Sequence, residues 1–421
     1  MRKHVRKPNP VLYCIAYVLF YPVLKVCFGL KVDRSGFKLP KGAHIVLSNH
    51  SSVFDFFFVM LSLYPRRLHA VTAQKYFFSK PLHRILPMAG CIPKCMFDPD
   101  FGSVVNIKAV LKRGGGILLF PEGRCSYTQK YAGIHKSTGK LIKKLGVPVV
   151  SSYIEGAATC VPLWRRGIRF GNTRVTHRNL FSASDLDLLS VDEINAAIGA
   201  VLSGADGIHS DADSDTPAHP SGNFRTRFSR RLTEGLHQLL YYCPVCKSEF
   251  TIEPLGCEIR CSACGAFAKM NRSGKLESAD GFPQDITLWV AEQSRREMSL
   301  LSYDMKPIAE KVKIKMPSSK PGGGMVQCGE GTLLIDPSGL RYEGTIHDEN
   351  ASLLFPTDLV PAISYDHCNN IHLHHDGKFY MFVPEDTRKC IKYVIITEAL
   401  HWKFAPKPLL TPGVNSGFVI E

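Results

Sequence analysis

The segment Asn49-His50-Ser51-Ser52-Val53-Phe54-Asp55 places an imidazole and a carboxylate close together in the chain. A histidine can remove a proton from a hydroxyl group near neutral pH, because its side chain titrates in that range. Such a base also needs a fixed tautomer and orientation, which a carboxylate on the other ring nitrogen can supply. We therefore predict that His50 acts as a general base and that Asp55 orients it.

A second polar stretch, Phe120-Pro121-Glu122-Gly123-Arg124, could bind an anion. Gly123 would let the backbone approach a ligand closely. An arginine binds phosphate through two parallel hydrogen bonds, whereas a lysine such as Lys94 acts as a point charge. We expect Arg124 and Lys94 to neutralise a phosphate together. The alternative is that Glu122 and Arg124 only pair with each other.

Predicted strands and a helix would position both stretches. The apolar run His44–Leu47 predicts a buried strand, and Ser52–Leu63 has a helical pattern. Residues five apart in a regular helix point about 140° away from each other, so His50 must lie before the helix, with Asp55 in its first turns. Gly116–Phe120 predicts the strand that ends at the second stretch.

The first segment resembles the HX4D motif, in its fuller form Asn-His-x-Ser-x-x-Asp, of the glycerophospholipid acyltransferases. Four residues match it: Asn49, His50, Ser52 and Asp55. The second stretch looks like the second hallmark of that family. Two further blocks follow the family order: Gly90 with Ile92-Pro93-Lys94, and Val147-Pro148-Val149-Val150. The resemblance covers about residues 45–160.

The resemblance implies an α/β fold, an acyltransferase-type mixed sheet with flanking helices. It implies that the free hydroxyl of a lysophospholipid accepts a fatty acyl group from acyl-CoA or acyl-carrier protein, and that Glu122 helps to hold the glycerol portion. The acceptor we expect is 1-acylglycerol 3-phosphate, which gives phosphatidate in phospholipid biosynthesis. We expect the alkoxide to attack the thioester directly, without an acyl-enzyme, and Cys125 to be an inert thiol.

The sequence departs from the family pattern at two positions. Many relatives carry Thr between Gly and Arg in the second hallmark, whereas Arg124 follows Gly123 directly. Lys94 stands where many relatives have Arg. These departures leave open another acceptor, such as glycerol 3-phosphate, another lysolipid or an aminolipid.

Four of the fourteen cysteines have the spacing of a metal site. Cys243, Cys246, Cys261 and Cys264 form the pattern C-x2-C-x14-C-x2-C. Two such pairs supply four thiolates to Zn²⁺ in a tetrahedral site, and so small a module needs its metal to fold. We predict a structural zinc ribbon with no open position for catalysis. The alternatives are an iron site and free cysteines, and reduced thiols fit a cytosolic compartment.

The net charge of +15 is concentrated near the amino terminus. Between Met1 and Lys41 there are nine basic residues and one acidic residue, and they flank the apolar stretch Val11–Leu30. Basic flanks tend to stay on the cytoplasmic side, so we expect the segment to enter an anionic membrane surface, bend near Pro22 and return. A spanning anchor is the alternative. A signal peptide does not fit, since no small-residue cleavage site follows Leu30.

A chain of 421 residues is long enough for several domains. We predict a membrane-associated segment (residues 1–41), an acyltransferase domain (42–240), the zinc ribbon (241–270), a helix and linker (271–324) and a β-rich, PH-like domain (325–421). The competing hypothesis is a nucleic-acid-binding protein, because basic chains with zinc ribbons can contact nucleic acid. The position of the basic residues argues against nucleic-acid binding, since they are concentrated around the apolar segment and not around the ribbon.

Overall fold

The computed structural model describes residues 5–418 except residues 99, 206–223, 228, 367 and 415. Within that part of the chain the α-helices are Pro10–Cys27 (α1), Asp55–Ser62 (α2), Leu82–Met88 (α3), Phe101–Lys112 (α4), Ser137–Leu145 (α5), Ala157–Cys160 (α6), Ala183–Leu188 (α7), Val191–Ser203 (α8), Ile286–Leu300 (α9) and Cys390–Phe404 (α10).

The first sheet is mixed and has seven strands. They are Lys31–Asp33 (β1), His44–Ser48 (β2), Leu68–Ala73 (β3), Ile92–Lys94 (β4), Gly116–Leu119 (β5), Val149–Glu155 (β6) and Arg174–Phe181 (β7). Their order is β1-β7-β6-β2-β5-β3-β4, and β6 and β7 pair antiparallel while the other neighbours are parallel. The predicted α/β class and mixed sheet are confirmed.

Strand β2 lies in the middle of this sheet and is buried along its whole length. Val46 packs into one apolar cluster with residues of α1 and α2, while Ile45 and Leu47 pack into another with residues of α4, α5 and α8. A strand covered on both faces by helices is apolar at successive positions, which explains the run Ile45-Val46-Leu47. Helices on the two faces therefore fix β2 and the residues that follow it.

The loops after β2 and β5 lie at the same edge of the sheet. The two strands are parallel neighbours, and Leu47 pairs with Leu119 near their carboxyl ends. The chain therefore leaves both strands at one level, and His50 comes next to the loop that begins at Phe120. Ligands of parallel sheets bind at this edge.

A small antiparallel sheet follows the α/β domain. Its strands are Ile252–Leu255 (β8), Glu258–Cys261 (β9), Phe267–Met270 (β10) and Leu276–Glu277 (β11), in the order β11-β10-β9-β8. The sheet continues past residue 270, where we predicted that the ribbon ends.

The last sheet has seven antiparallel strands. They are Ile308–Pro317 (β12), Met325–Asp336 (β13), Gly339–Ile346 (β14), Glu349–Pro356 (β15), Ser364–Asp366 (β16), Asn370–His375 (β17) and Lys378–Pro384 (β18). The order is β15-β14-β13-β12-β18-β17-β16, and α10 follows the last strand. The β-rich prediction is confirmed, and its PH-like character stays a prediction.

The predicted start of this domain at residue 325 is wrong by one strand. Strand β12 begins at Ile308 and pairs with both β13 and β18. The glycine-rich stretch before residue 325 therefore connects two paired strands and does not link two domains. Lysines alternate with buried Val312 and Ile314 along β12, so the segment contains few apolar residues although its period is that of a strand.

Helix α1 continues through Pro22 over 18 residues, so the chain does not turn back at this proline as we predicted. Its length and composition would allow it to cross a membrane, which is weak evidence taken alone. Both ends are attached to the α/β domain, because the Asn9 amide donates to the Met88 carbonyl at 3.0 Å and β1 pairs with β7. The helix thus lies along the domain, with Tyr13 and Leu24 buried beneath it.

Candidate active site

His50 and Asp55 meet as the sequence predicts. The His50 Nδ1 atom lies 3.0 Å from Asp55 Oδ2, and this oxygen also accepts the backbone amides of Ser51 at 2.7 Å and Ser52 at 2.8 Å. The Asp55 side chain is fully buried at the start of α2, whereas that of His50 is 20% exposed. Three hydrogen bonds to one carboxylate oxygen fix both the turn and the orientation of the imidazole.

The other side of the His50 ring contacts Cys125. The Cys125 Sγ atom lies 3.2 Å from Nε2 and 3.6 Å from Nδ1, and the Phe120 ring stacks on the imidazole with its centroid 4.4 Å away. Burial opposes protonation of the ring, but the Cys125 sulfur and the Asp55 carboxylate outweigh it and hold the pKa of His50 well above its usual range. Cys125 is therefore part of this cluster, which the expectation of an inert thiol did not include.

Glu122 supports the His50 backbone. Its Oε1 accepts the His50 amide at 2.7 Å, and its Oε2 accepts the Ala132 amide at 2.8 Å. Burial raises the pKa of this carboxyl to about 7, although both amide bonds favour the ionised form. In this structure the carboxylate holds two loops together, and the expected contact with the glycerol portion of an acceptor stays a prediction.

The Arg124 side chain contacts the carboxyl-terminal part of the molecule. Its Nη1 lies 2.5 Å from Glu398 Oε1 in α10 and donates to the Ile363 carbonyl at 2.9 Å. Its guanidinium also lies over the rings of Tyr127 and Tyr365. The alternative that Arg124 pairs with Glu122 is therefore wrong. Its binding of a phosphate stays a prediction, and in this structure its charge is paired inside the protein.

Lys94 and Gly123 lie at the same edge of the first sheet as His50. The Lys94 Nζ atom is 4.0 Å from Asp100 Oδ2 and 3.4 Å from the Asp98 carbonyl oxygen, and its side chain is 30% exposed. Burial lowers the pKa of Lys94. Gly123 has φ 78°, a conformation that favours glycine, and a side chain there would press on Phe97. Of the two predicted basic residues, Lys94 has the more accessible charge.

Residues distant in sequence complete the site, and sequence analysis missed them. The Tyr365 hydroxyl donates to the Cys125 carbonyl at 3.0 Å, and the Ser126 amide donates to the His50 carbonyl at 2.8 Å. Tyr365 lies in β16, so the last domain packs directly on the loop that follows β5. No local sequence pattern predicts such a partner. The sequence does single out Cys125, beside the glycine loop, but as an inert thiol.

The four cysteines of the ribbon converge as predicted. The sulfur atoms of Cys243, Cys246, Cys261 and Cys264 all lie within 4.8 Å of one another. A zinc–sulfur distance of about 2.3 Å in a tetrahedron corresponds to sulfur atoms about 3.8 Å apart. Cys243 and Cys264 are 3.9 Å apart, and Cys246 and Cys261 are 3.6 Å apart. The cluster therefore has the size that one tetrahedral metal ion requires.

Comparison with known proteins relates the residues around His50 to one family. Residues 31–155 match the family model described as Acyltransferase. The chain is 26% identical over 148 residues to 1-acyl-sn-glycerol-3-phosphate acyltransferase LPAT1, chloroplastic, of Arabidopsis thaliana, with 34% of this chain and 41% of that protein covered. The chain therefore spans less than half the length of this curated relative.

A solved structure also matches about half of the chain. It is the crystal structure of the 1-acyl-sn-glycerophosphate (LPA) acyltransferase, PlsC, from Thermotoga maritima, with a TM-score of 0.38 and 14% identity. The match covers 49% of this chain and 98% of that chain. Residues 31–155 include His50, Asp55 and the second polar stretch, so the region that matches the family model contains the predicted catalytic residues.

Proposed function

We propose that this chain, whose residues 31–155 match the Acyltransferase family model, moves a fatty acyl group from a thioester to the free hydroxyl of a lysophospholipid at a membrane surface. The observation that carries the proposal is the 3.0 Å contact between His50 Nδ1 and Asp55 Oδ2. It leaves Nε2 as the nitrogen that can take a proton from another group.

In the proposed reaction His50 is the base. With Nδ1 facing Asp55, His50 Nε2 takes the proton of the acceptor hydroxyl as its oxygen attacks the carbonyl carbon of the acyl thioester. The carbon–sulfur bond breaks, and the leaving thiolate takes the proton from His50. Asp55 stabilises the imidazolium that forms between these two proton transfers. Glu122 keeps the His50 backbone in place through its 2.7 Å bond to the amide.

The acceptor we propose is 1-acylglycerol 3-phosphate, with acyl-CoA or acyl-carrier protein as donor. The name of the Arabidopsis relative supports this choice, and Lys94 offers an accessible positive charge. The pairing of Arg124 with Glu398 favours a second candidate, an acceptor whose headgroup has less net negative charge, such as another lysolipid or an aminolipid. The two candidates differ in the charge that the site must neutralise.

The surface of α1 supports membrane association of the proposed enzyme. Val11, Val18 and Val26 are 63%, 62% and 70% exposed on the side of the helix away from the domain. A helix of 18 residues is about 27 Å long, and one lying flat with an apolar outer side can enter the interface between headgroups and acyl chains. We propose that this side of α1 contacts an anionic membrane on its cytoplasmic face.

The four-cysteine cluster supports a structural zinc ion in the proposed enzyme. Zinc would be held by four thiolates, which leaves it no open position for substrate. The ion would stabilise the small sheet formed by β8–β11. It would take no part in acyl transfer.

The test is an acceptor panel. Purified full-length protein in phosphatidylcholine–phosphatidylglycerol vesicles is given labelled palmitoyl-CoA and, one at a time, 1-acylglycerol 3-phosphate, glycerol 3-phosphate, lysophosphatidylcholine and lysophosphatidylethanolamine. We expect labelled phosphatidate from the first of these. Product from lysophosphatidylcholine or lysophosphatidylethanolamine alone would support the second candidate. No lipid product from any acceptor, with palmitoyl-CoA or with palmitoyl-acyl-carrier protein, would contradict the proposal.

A further inference from the structure

Three segments that are distant in sequence meet at the carboxyl-terminal end of α1. The Gly171 amide donates to the carbonyl of Cys27, the last residue of this helix, at 2.9 Å. The neighbouring Phe170 pairs antiparallel with Arg227, whose amide donates to the Phe170 carbonyl at 2.6 Å. The chain around Arg227 is therefore held next to the end of the helix that we propose to lie on a membrane.

The segments that meet there are basic. Ten basic residues and no acidic residue lie in these segments, which are residues 24–32, 161–174 and 224–233. The acidic residue after the first segment, Asp33, is bound to Arg178 at 2.7 Å. The one after the last segment, Glu234, is bound to Arg165 at 2.8 Å. Both adjoining carboxylates are thus paired, and the region keeps an excess of positive charge.

Five of these basic residues form an exposed group, which we call the arginine patch: Arg166, Arg225, Arg227, Arg230 and Arg231. The Arg227 Nη2 atom donates to the side-chain oxygen of Asn172 at 2.7 Å, a neutral partner that does not compensate its charge. Arg169, in contrast, is 5% exposed and donates to the Leu232 carbonyl at 2.6 Å. This buried arginine attaches the segment that contains Arg230 and Arg231 to the α/β domain.

Exposed apolar side chains lie beside the arginine patch. Phe170 and Ile168 are 47% and 45% exposed, and Val26, near the end of α1, is 70% exposed. Apolar side chains next to basic residues are typical of a protein surface that lies between lipid headgroups and acyl chains. The apolar side of α1 therefore continues into a region that arginines border.

The position of the arginine patch matches the headgroup layer of a bilayer. A helix that lies flat in the interface holds its end near the headgroups, so basic side chains beside that end can reach lipid phosphates. A nucleic-acid duplex would also match the charge, because its backbone is a row of phosphates. It offers no apolar layer, however, to cover Phe170, Ile168 and Val26. The combination of charge and apolar surface thus favours a membrane.

We propose that the arginine patch binds the headgroups of anionic lipids and is a second membrane contact beside the apolar side of α1. The inference rests on the proposed membrane association and adds the lipid class, a bilayer with net negative headgroups. A helix alone leaves the domain free to rotate about the helix axis. A second contact beside the helix fixes one orientation of the first sheet, and hence of His50, on the bilayer.

The test is vesicle binding after removal of two charges. The full-length wild type and the double variant Arg230→Gln/Arg231→Gln are floated with vesicles of phosphatidylcholine, with and without phosphatidylglycerol, at low and high salt. Lys140→Gln/Lys144→Gln is the matched control, because it removes the same charge from exposed positions of α5. This helix packs on the face of the first sheet opposite to α1. Circular dichroism checks that all three proteins are folded.

We expect the arginine variant to bind phosphatidylglycerol vesicles about 30-fold more weakly than the wild type, or about fivefold for each charge removed. Its binding to phosphatidylcholine alone should be unchanged, and high salt should reduce the difference, because ions screen exposed charges. The lysine control should bind both kinds of vesicle as the wild type does. Phe170→Ser should weaken binding to both kinds, since it removes apolar contact and no charge.

The outcomes separate this inference from the proposed function. Equal binding of the arginine variant and the lysine control to phosphatidylglycerol vesicles overturns the arginine patch and leaves both acyl transfer and the membrane contact of α1. Weaker binding of the arginine variant to double-stranded DNA, with vesicle binding unchanged, shows a nucleic-acid surface and also overturns it. Selective loss of binding to anionic vesicles supports the arginine patch even if no lysolipid is acylated, a result that would contradict the proposed function alone.

Discussion

The imidazole of His50 is held between two groups that favour its protonated form. Asp55 contacts Nδ1 at 3.0 Å and the Cys125 sulfur contacts Nε2 at 3.2 Å. The partly buried ring would otherwise favour its neutral form, and the result is a pKa of His50 well above the usual range. A base with a raised pKa binds a proton more strongly, but it is in the neutral, active form only at higher pH.

Replacing Asp55 with Asn should move the pH dependence of acyl transfer. In the wild type, kcat/KM should rise with pH through the raised pKa of His50, because only the neutral imidazole accepts a proton. Asp55→Asn removes a charge that raises this pKa, so the rising limb should shift to lower pH while the plateau falls by about 100-fold or more. The measurement is kcat/KM across pH for both proteins, and an unshifted limb would contradict the assigned role of Asp55.

The local sequence predicts the contact between His50 and Asp55 but not the contacts of Arg124 and Cys125. His50 and Asp55 lie within one turn region, so their spacing alone determines whether they can meet. Arg124, in contrast, forms its ion pair with Glu398, which lies in α10 near the other end of the chain. Nothing in the residues around Arg124 indicates that its charge is already paired, and the same holds for the contact between Tyr365 and Cys125.

Among the elements, the ribbon is the one whose stability should depend on a metal. Its four strands are short, and β11 has only two residues. Such strands cannot bury enough apolar surface by themselves, so a metal bound by four thiolates would supply folding free energy directly. The sulfur positions agree with one tetrahedral zinc ion.

Cys246→Ser should abolish stoichiometric zinc binding. We expect about one zinc ion per wild-type chain by elemental analysis and a large loss in the variant, since a closed site needs all four thiolates. Cys257→Ser is the matched control, because Cys257 lies between the two cysteine pairs and outside the four-sulfur cluster. Full zinc occupancy in Cys246→Ser, or equal loss in Cys257→Ser, would exclude the proposed ligand set.

The elements that the sequence predicts are those with strong hydrophobic periods. Strands β2 and β5 lie where we expect them. The sequence analysis does not predict strand β12, because its lysines reduce its apolar content. Buried Val312 and Ile314 nevertheless alternate with these lysines along the strand. A bend in helix α1 is expected because proline removes an internal hydrogen bond, yet one missing bond does not break this helix.

At the scale of the whole molecule, the last domain is attached to the active-site loop by a buried ion pair. Arg124 and Glu398 have side chains that are 7% and 6% exposed, and the Tyr127 hydroxyl also donates to Glu398 at 3.0 Å. Removing one partner of such a pair leaves the other charge buried without compensation. The carboxyl-terminal domain therefore stabilises the loop that contains Cys125.

Glu398→Gln should lower the free energy of unfolding by about 3–5 kcal/mol, the usual cost of breaking a buried pair. Glu234→Gln is the matched control, because Glu234 pairs with Arg165 but is 47% exposed. An exposed pair contributes about 0–1 kcal/mol, so this change should have little effect. Denaturant unfolding measures both variants, and equal small losses would show that the two domains are not held together by this pair.

The exposed apolar side of α1 leads to a second prediction, about membrane binding of the whole molecule. Val18→Glu should reduce the fraction of protein that floats with phosphatidylglycerol vesicles, since a charge on this side opposes insertion into the interface. Leu188→Glu is the control: Leu188 is 86% exposed on α7, a helix that packs on the opposite face of the first sheet. Equal flotation of the two variants would contradict the assigned membrane surface.

The most direct test of the whole account is the acyl transfer rate of His50→Ala. The proposed attack of the acceptor hydroxyl on the thioester requires this imidazole as the base. With circular dichroism and zinc content unchanged, we expect transfer from palmitoyl-CoA to lysophospholipid to fall by about 100-fold or more. Transfer at the wild-type rate in a folded His50→Ala protein would contradict the central claim.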